Sequence, residues 1–394
     1  MSDRKRILVF IDWYLPGFKG GGPITSIANM VAALKDEFDF WIVTSDRDAG
    51  ESKPYPGIAT ETWLDGDGCK VWYFSKAGLS YAAVRRLIGE TDYDLLYLNS
   101  MFSVGFTIYP LWGGRAAKPD VPILLAPRGM LHLGALALKP LKKKIFLGLI
   151  RALGIQKHIH FHATDSVEVE DIRRVFGKET KVTEAPNLPQ PWQAEWVDLP
   201  KSPGTLRLVY LSRLSEKKGL HLVLEWLRDL KGEVSLEVVG PDDEPGYGDR
   251  CRKLIAALPS NIQVTEMGAL PQNEGLSRLR AAHAFVMPTM GENFGHAIFE
   301  ALNAGRPVLI SDQTPWRDLV EARAGWDIPL ADAGKFREAL EQLVMMDHPT
   351  WESWARAAHF LAKQYLDRAG QAGHSQQMFD RLVTEAEENR RMNS

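Results

Sequence analysis

Cysteine is nearly absent from this sequence: Cys69 and Cys251 are the only two among 394 residues. They lie far apart along the chain, so neither a disulfide framework nor a cysteine-based zinc site is available, and a reducing compartment fits. A strong charge of one sign is also lacking, because 47 Lys and Arg residues nearly balance 50 Asp and Glu residues. The chain as a whole therefore has no electrostatic basis for wrapping nucleic acid.

Long hydrophobic runs are missing as well. The most apolar stretch, 145–153, contains Arg151 and falls short of the roughly 20 residues that a membrane span requires. The first six residues lead straight into the strand-like run 7–11, which is too short and too early for a signal peptide. We therefore expect a cytoplasmic protein. Its composition, 45% hydrophobic and 25% charged, is that of an ordinary globular protein with a large core.

Short β-branched runs alternate with longer amphipathic segments, a pattern that predicts βαβ units around parallel sheets. The length favours two domains, and a proline-rich stretch between them disfavours both helix and central strand. We predict an N-terminal domain over 1–188, a linker over 189–204, a C-terminal domain over 205–365, and a helical tail over 366–394 that can pack back on the N-terminal domain. Two such α/β domains create a cleft, and open α/β sheets bind ligands at the carboxyl ends of their strands.

A basic segment, Ser212 to Gly219, follows the predicted strand 206–211 and precedes a predicted helix. The guanidinium of Arg213 and the ammonium of Lys218, beside the amides of a helix N-terminus, suit a diphosphate. The alternative is a solvated basic loop. The spacing of a Walker loop is absent.

A second candidate segment follows the predicted strand 284–287. Glu292 lies on the loop, where its carboxylate can accept hydrogen bonds from sugar hydroxyls, and Phe294 and Gly295 offer amides at the mouth of the next helix. Glu300 falls within that helix and can reach a ribose diol. Two glutamates eight positions apart also fit a simple helix start and helix surface, so the pattern by itself leaves both interpretations open.

The segment 292–311, ENFGHAIFEALNAGRPVLIS, resembles the signature of family 4 retaining glycosyltransferases, which have the GT-B fold. The segment 212–219 is similar to their other main motif, and Gly20 to Pro23 is similar to their N-terminal glycine loop. Segments 126–131, 162–164 and 185–187 occur in the family's order, so the resemblance covers nearly the full chain. It implies an α/β GT-B fold, with two Rossmann-like domains facing each other across a cleft. The domain over 1–188 would bind the acceptor, and the domain over 205–365 would bind the nucleotide-sugar donor.

The resemblance implies roles for matching positions. Arg213 and Lys218 would hold the donor diphosphate, Glu292 the sugar and Glu300 the ribose. The other implied donor contacts are the glycines beside the phosphates, the backbone at the helix mouth and the pocket for the base: Gly21, Gly22, Phe294, Gly295, Gly240, Pro241 and Met267.

One departure from the family concerns the sugar contact. Many members have histidine where Arg128 stands, and a guanidinium cannot act as a base at neutral pH. Arg128 should therefore be electrostatic or structural, and His132 is a substitute candidate for an acceptor or sugar contact. The resemblance further implies retention of anomeric configuration, a UDP- or GDP-linked sugar donor as substrate, no cofactor and no divalent metal.

Two patterns compete with that interpretation. Asp65-Gly66-Asp67 is an Asp-x-Asp triplet of the kind that binds manganese in other glycosyltransferases, but Asp-Gly is also a common turn, which we favour. His158, His160 and His162 have a spacing tempting for a metal, but without an acidic partner nearby a packed or solvated strand is preferred.

A basic and apolar element follows in the N-terminal domain. Lys142, Lys143 and Lys144, preceded by Lys139, stand next to the apolar run that begins at Ile145. Such a segment can touch anionic lipid on the inner membrane face, and an ordinary amphipathic helix with a solvated lysine end is the alternative.

The sequence thus favours a hexosyltransferase-type enzyme that moves a sugar from a nucleotide-sugar to a glycan or lipid-linked glycan, in surface polysaccharide or lipopolysaccharide biosynthesis. Three alternatives stay open: a sugar-nucleotide epimerase, a phosphorylase on the same fold, and an inactive nucleotide-sugar-binding subunit.

Overall fold

The structure is a computed structural model that describes residues 4–132, 135–136, 140–190, 196–368 and 371–393. The chain divides into two compact units. Unit 1 comprises Met1–Leu188 with Gly370–Ser394, and unit 2 comprises Pro189–Ala369. Each unit contains its own sheet and its own hydrophobic core.

Unit 1 is built on a sheet in the order β3-β4-β2-β1-β5-β6-β7-β8, parallel except for the antiparallel pair β3 and β4. Every residue of the central strand β5 is buried, which explains why its sequence LLYLN is apolar up to Asn99 at its end. The strands of this sheet are β1 (Arg6–Ile11), β2 (Asp39–Ser45), β3 (Trp63–Gly66), β4 (Cys69–Phe74), β5 (Leu95–Asn99), β6 (Ile123–Ala126), β7 (His160–Ala163) and β8 (Val182–Glu184).

Helices connect these strands, as parallel pairing requires. Ser80 and Asp165 cap the helices that follow them, because each side chain accepts a hydrogen bond from the first-turn amide three residues later. The helices between the strands of unit 1 are α1 (Gly22–Leu34), α2 (Tyr81–Glu90), α3 (Tyr109–Ala117), α4 (Pro140–Ala152) and α5 (Ser166–Phe176), with a π-helical turn at Val104–Ile108 and a 3-10 turn at Ile155–His158.

Unit 2 is built on a parallel sheet in the order β11-β10-β9-β12-β13-β14. The order reverses direction at β9, and the loops after β9 and β12 begin at this switch point, where ligands bind in such sheets. The strands are β9 (Thr205–Leu211), β10 (Glu233–Val239), β11 (Ile262–Gly268), β12 (Ala284–Met287), β13 (Val308–Ser311) and β14 (Gly325–Ile328).

The helices of unit 2 pack around this sheet through aromatic side chains. Trp226 stacks on Phe336 with ring centroids 4.1 Å apart, and the indole of Trp351 is fully buried and donates a hydrogen bond to the His283 carbonyl at 2.8 Å. The helices are α6 (Leu220–Leu227), α7 (Tyr247–Ala256), α8 (Gln272–Ala281), α9 (His296–Asn303), α10 (Ala333–Met345) and α11 (His348–Arg368), with a 3-10 turn at Glu216–Lys218.

The boundaries of the units differ from the predicted ones. Residues 196–204, predicted as linker, pack on unit 2: the Lys201 ammonium donates to the carbonyls of Val344 at 3.0 Å and Met346 at 3.1 Å. The carbonyls that end α10 need such donors, and this need explains why the segment is held. The predicted linker residues 191–195 lie outside the described residues.

The last helix, α12 (Gln371–Asn393), contributes to the core of unit 1. The ring of Phe379 contacts the ring of Phe38 at 5.4 Å and that of Tyr97 at 5.7 Å between centroids. Unit 2 ends at residue 369 rather than at 365. Within the described part of the chain, no helix combines the length and the apolar character needed to cross a bilayer.

Candidate functional site

The carboxyl ends of β9, β10 and β11 are joined by main-chain hydrogen bonds. The Leu214 amide donates to the Pro241 carbonyl and the Gly240 amide to the Gly268 carbonyl, each at 2.8 Å. At Gly240, where φ is 147°, a Cβ atom would overlap the Ser212 carbonyl, so only glycine allows this close approach. The structure therefore brings Gly240 and Pro241, together with the neighbouring Met267, next to the segment that carries Arg213.

The loops after β9 and β12 are also bound to each other. The Met290 amide donates to the Lys217 carbonyl at 2.7 Å. Gly219 has φ 74°, and a Cβ atom there would overlap the carbonyl oxygen of Pro288. The two predicted motif segments, separated by about 70 residues in sequence, thus form one surface of unit 2.

Lys218 and Glu292 meet on that surface. The Lys218 ammonium forms an ion pair with a carboxylate oxygen of Glu292, and their side chains are only 13% and 17% exposed. Burial, followed by the nearby charges of Lys217 and Arg213, lowers the pKa of Lys218 to about 7. The Glu292 carboxylate in contact with it favours the charged form. Of the three side chains predicted to hold the donor diphosphate or the sugar, two are therefore direct partners.

Arg213 lies at the rim of the same surface. Its guanidinium forms an ion pair with Asp243 at 2.8 Å, and both side chains are about half exposed. The Arg213 charge is close enough to lower the pKa values of Lys217 and Lys218. Asp243, which follows β10, is a partner that the sequence reasoning missed, because nothing in the spacing places it opposite residue 213.

The segment between Glu292 and α9 is held by its main chain. The Glu292 amide donates to the Gln313 carbonyl at 3.0 Å, and the carbonyl of the buried Phe294 accepts from the Trp316 indole at 2.7 Å. Gly295 immediately precedes the first residue of α9 and has φ 77°. The helix mouth predicted from the sequence is therefore formed, with Glu292 fixed beside it.

Glu300 points away from solvent, with an exposed fraction of only 7%. The Gln272 amide nitrogen donates to its Oε1 atom at 3.0 Å. Burial raises the pKa of Glu300 to about 7, and the hydrogen bond from Gln272 opposes that effect. Gln272, the first residue of α8, is a second residue that the sequence reasoning missed, although its place just after β11 and Met267 could have suggested it.

In unit 1, Gly21 and Gly22 stand at the start of α1, where the Gly21 carbonyl accepts from the Ile24 amide at 3.0 Å. They follow the carboxyl end of β1, as predicted for a glycine loop after the first strand. Because they belong to unit 1, their implied place beside the donor phosphates stays a prediction.

Arg128 joins the ends of several strands in unit 1. Its guanidinium donates to Asn99 Oδ1 at 2.8 and 3.2 Å, to Asn187 Oδ1 at 2.5 Å and to the Tyr97 hydroxyl at 2.9 Å. The Tyr97 hydroxyl lies 2.6 Å from Nδ1 of His162. These bonds occupy four of the five guanidinium N–H groups. Arg128 was expected to be electrostatic or structural, and these hydrogen bonds support a structural role.

His162 is fully buried and neutral. Burial, with the nearby Arg128 charge, lowers its pKa to about 3. Its Nε2 atom donates to the Ala185 carbonyl at 2.7 Å, so Nδ1 accepts from the Tyr97 hydroxyl. His162 therefore serves the packing of β7, in agreement with the preferred interpretation of this histidine group.

His132, the other candidate for the sugar contact, has different partners. Its Nδ1 atom lies 3.0 Å from Asp171 on α5, and Asp171 also forms an ion pair with Arg174 at 2.7 Å. The imidazole is 57% exposed. Among the described residues, Arg128 and His132 therefore do not share a hydrogen-bond partner, and His132 is the more accessible of the two.

The remaining sequence candidates lie elsewhere in unit 1. Asp65 lies in β3 and Asp67 in the turn between β3 and β4, and they pair with Lys70 and Lys35, respectively. On α4, Lys142 and Lys144 are exposed, whereas the Lys143 ammonium donates to the Ala135 carbonyl at 2.6 Å. Lys139 lies outside the described residues. Within the described ranges, no group of three His, Cys, Asp or Glu side chains is arranged to hold a metal ion.

A family model matches the part of the chain that forms this surface. The model for Glycosyl transferases group 1 matches residues 196–359, which include all the candidate site residues of unit 2. This chain carries a glycosyl transferases group 1 domain. That domain contains the Lys218–Glu292 pair, Arg213 and Glu300, and it belongs to a family of enzymes.

Two curated relatives resemble the chain. WcaL of Salmonella typhimurium, whose name assigns it to colanic acid biosynthesis as a glycosyltransferase, is 30% identical over 183 residues, 43% of this chain and 44% of that protein. The match thus spans less than half the length of this relative. Phosphatidyl-myo-inositol mannosyltransferase of Mycobacterium leprae is 25% identical over 68% of each chain.

Solved structures resemble the whole chain despite low identity. WaaG, a glycosyltransferase involved in lipopolysaccharide biosynthesis, has a TM-score of 0.65 and 16% identity, with 95% of this chain and 99% of that one covered. Anabaena HepE in complex with UDP-glucose has a TM-score of 0.62 and 17% identity, with 96% and 99% covered. At this identity the likeness concerns the fold, and it confirms the predicted GT-B fold of this chain.

Proposed function

We propose that this protein transfers a hexose from a UDP- or GDP-linked sugar to a glycan or lipid-linked glycan, with retention of configuration and without a divalent metal. The biological setting is the synthesis of surface polysaccharide or lipopolysaccharide. The observation that carries the proposal is the Lys218–Glu292 ion pair, which lies within the matched family domain and beside Arg213. The names of WcaL and WaaG support the setting.

Cleavage of a sugar–phosphate bond develops negative charge on the leaving oxygen, so fixed positive charge near the diphosphate lowers the barrier. Lys218 and Arg213 supply that charge. In the free protein, Glu292 and Asp243 are their partners. We expect the donor diphosphate to replace both carboxylates. Glu292, released from Lys218, then accepts hydrogen bonds from the sugar hydroxyls, while the leaving phosphate oxygen assists removal of the acceptor proton.

The nucleoside part of the donor is assigned to neighbouring residues. The Glu300 carboxylate accepts hydrogen bonds from the ribose hydroxyls, and the hydrogen bond from Gln272 holds this carboxylate in place. The amides around Phe294 and Gly295 face the phosphates, and the base lies near Gly240, Pro241 and Met267. HepE, which shares the fold, was crystallised in complex with UDP-glucose, and this supports a nucleotide-sugar as donor.

The function is tested by measuring thermal shifts with nucleoside diphosphates and their sugar conjugates in the presence of a chelator. A stabilising nucleotide-sugar should then donate its sugar to a glycan acceptor panel in the same buffer. Donor altered without acceptor would indicate an epimerase instead, and a requirement for inorganic phosphate would indicate a phosphorylase. Binding without turnover across the panel would identify a binding subunit. A transfer reaction that stops with chelator would contradict metal independence.

Donor affinity is expected to peak near pH 7. Lys218, with its pKa near 7, loses its positive charge as the pH rises, whereas Glu300, also near 7, loses its negative charge as the pH falls. The diphosphate needs the first charge and the ribose diol the second, so affinity should decrease on both sides, by up to about tenfold per pH unit. Calorimetry with the nucleotide-sugar measures this profile, because its diphosphate diester has no ionisation in the range.

Two variants test which group causes the decrease in donor affinity above pH 7 and which causes the decrease below it. Lys218→Arg should remove the alkaline limb, because a guanidinium stays charged throughout the range. Glu300→Gln should remove the acidic limb. A profile that keeps both limbs in both variants would show that other groups control the affinity.

We also propose that the protein is cytoplasmic and binds the inner membrane face through α4. Leu147 and Ile150 of this helix face the core, whereas the side chains of Leu141, Ile145 and Leu149, each four residues apart, are 53–70% exposed. The exposed Lys142 and Lys144 stand beside this apolar stripe. An exposed stripe of this kind suits insertion at the surface of an anionic bilayer. The name of the mannosyltransferase relative, which includes phosphatidyl-myo-inositol, supports a lipid-linked acceptor.

The full chain is therefore expected to cosediment with vesicles containing phosphatidylglycerol at low salt, and binding should fall as salt is added. Ile145→Glu with Leu149→Glu should abolish binding, because both side chains would have to enter the bilayer surface. Met345→Glu, on an equally exposed apolar side chain of α10 in unit 2, should have no effect. Equal loss in both variants, or no binding by the natural protein, would contradict the proposal.

A further inference from the structure

The loop between β1 and α1, residues 12–21, is held rigidly in place. The buried carboxylate of Asp48 accepts hydrogen bonds from the amides of Phe18 at 2.8 Å and Lys19 at 3.1 Å. The Tyr73 hydroxyl donates to the Leu15 carbonyl at 2.6 Å. These bonds come from segments after β2 and within β4, so the loop conformation is fixed by the fold of unit 1 rather than by its own sequence.

Trp13 lies on this loop and is exposed to solvent. One side of its side chain packs on Gly20, where an added Cβ atom would lie 3.1 Å from Cε3 of the indole. The residue is 37% exposed, so part of its side chain is accessible. An indole held in a fixed orientation with a free surface suits the apolar face of a flat ligand, and aromatic side chains of this kind line small-molecule sites.

Asp12 precedes Trp13 and stands at the carboxyl end of β1. Its Oδ1 atom accepts from the Ser103 hydroxyl at 2.6 Å, and its carbonyl accepts from the Ser45 amide at 3.3 Å. Burial raises the pKa of Asp12, and the hydrogen bond from Ser103 opposes this effect. The Ser100 hydroxyl and the amide of Asp12 also act on this carboxylate as hydrogen-bond donors. A carboxylate has about four lone-pair positions, so capacity for one ligand hydroxyl remains.

The neighbouring strand supplies a further polar group. Residue Ile11 of β1 is in register with Asn99 of β5, so Asp12 and Asn99 lie at the same edge of the sheet. The Asn99 side chain is buried, and its Nδ2 atom has no hydrogen-bond partner within the described residues. A buried amide donor without a partner costs free energy unless a ligand or water accepts from it.

We propose that Trp13 and Asp12 form a binding site for a neutral pyranose unit of the acceptor: the ring stacks on the indole and one of its hydroxyls donates to the Asp12 carboxylate. The inference rests on the proposed function. The Asp12 charge disfavours a phosphate group, and the residues assigned to the donor sugar and ribose lie in unit 2. A hydroxyl-rich uncharged ring is the chemistry that fits the remaining pair.

Saturation-transfer NMR on the full chain tests the site with methyl α- and β-pyranosides of glucose, galactose and mannose as probes. At least one pyranoside should bind the natural protein, and Trp13→Ala should weaken that binding by about tenfold. Asp12→Asn should weaken it as well. Trp112→Ala is the matched control, because Trp112 on α3 in the same unit is 39% exposed.

The control should bind the pyranoside like the natural protein, and all variants should keep its melting temperature. Equal loss in Trp112→Ala, full binding by Trp13→Ala, or no pyranoside binding by the natural protein would overturn the proposal. The proposal would also be overturned if the nucleotide-sugar displaced the pyranoside but the matching nucleoside diphosphate did not, because the site at Trp13 and Asp12 would then hold the donor sugar. Nucleoside diphosphate binding and its loss in Arg213→Ala report separately on the proposed function.

Discussion

Replacing Glu292 by glutamine is expected to lower kcat/KM for sugar transfer by about 10²–10³-fold, the usual effect of removing one well-placed polar group from a reacting centre. The amide of glutamine keeps the shape of the side chain, but it lacks the negative charge that makes a carboxylate a strong acceptor of hydrogen bonds from the sugar hydroxyls. Affinity for the nucleoside diphosphate alone should not fall, because Lys218 loses its carboxylate partner and remains available to phosphate.

This separation of effects is the critical measurement. Transfer kinetics and calorimetry of nucleoside diphosphate binding should be run on the same preparation of Glu292→Gln. Glu352→Gln provides the control, since Glu352 forms a surface ion pair with Arg356 on α11. Near-normal transfer by folded Glu292→Gln would refute the assignment of the sugar contact.

Replacing Arg213 by alanine should reduce transfer to a similar degree, but through a different step. The guanidinium is proposed to contact the donor diphosphate, so both nucleoside diphosphate affinity and kcat should decrease, the latter by about 10²-fold or more. Isothermal titration calorimetry and single-turnover transfer measure the two effects.

Asp243→Asn is the informative companion to that variant. Asp243 pairs with Arg213 in the free protein, so loss of its charge removes a competitor of the diphosphate and should leave affinity unchanged or raise it. If Asp243→Asn weakens binding as much as Arg213→Ala, the ion pair itself is required, and Arg213 serves the loop rather than the donor.

Much of the fold follows from local sequence. The runs predicted as strands at 7–11, 206–211 and 284–287 coincide with β1, β9 and β12 within one residue at each end. Most residues of these strands are buried, so their sequences are apolar runs that are easily recognised, interrupted in β9 by the exposed Arg207. The short strands β3, β8 and β14 were not predicted, because each has three or four residues and, unlike β12, none of them is a fully buried apolar run.

The residues of the candidate site also fall into those that the sequence predicted and those that it did not. Arg213, Lys218 and Glu292 were predicted because they follow recognisable strands and precede helices. Gln272, Asp243 and Asp12 were missed. Each of these depends on a contact with another segment: Gln272 with Glu300, Asp243 with Arg213, and Asp12 with Ser103. Spacing along the chain contains no information on such pairs.

The sequence by itself determined the α/β class, the two series of strands and the chemical character of the loops, because hydrophobic periodicity and loop composition are local properties. Only the tertiary structure decided that Lys218 meets Glu292, that the guanidinium of Arg128 is used by Tyr97, Asn99 and Asn187, and that α12 completes the core of unit 1. Parallel sheets bring segments from distant parts of the chain to one edge, and burial there changes the pKa values of their side chains. Which partners meet is therefore set by strand order and packing.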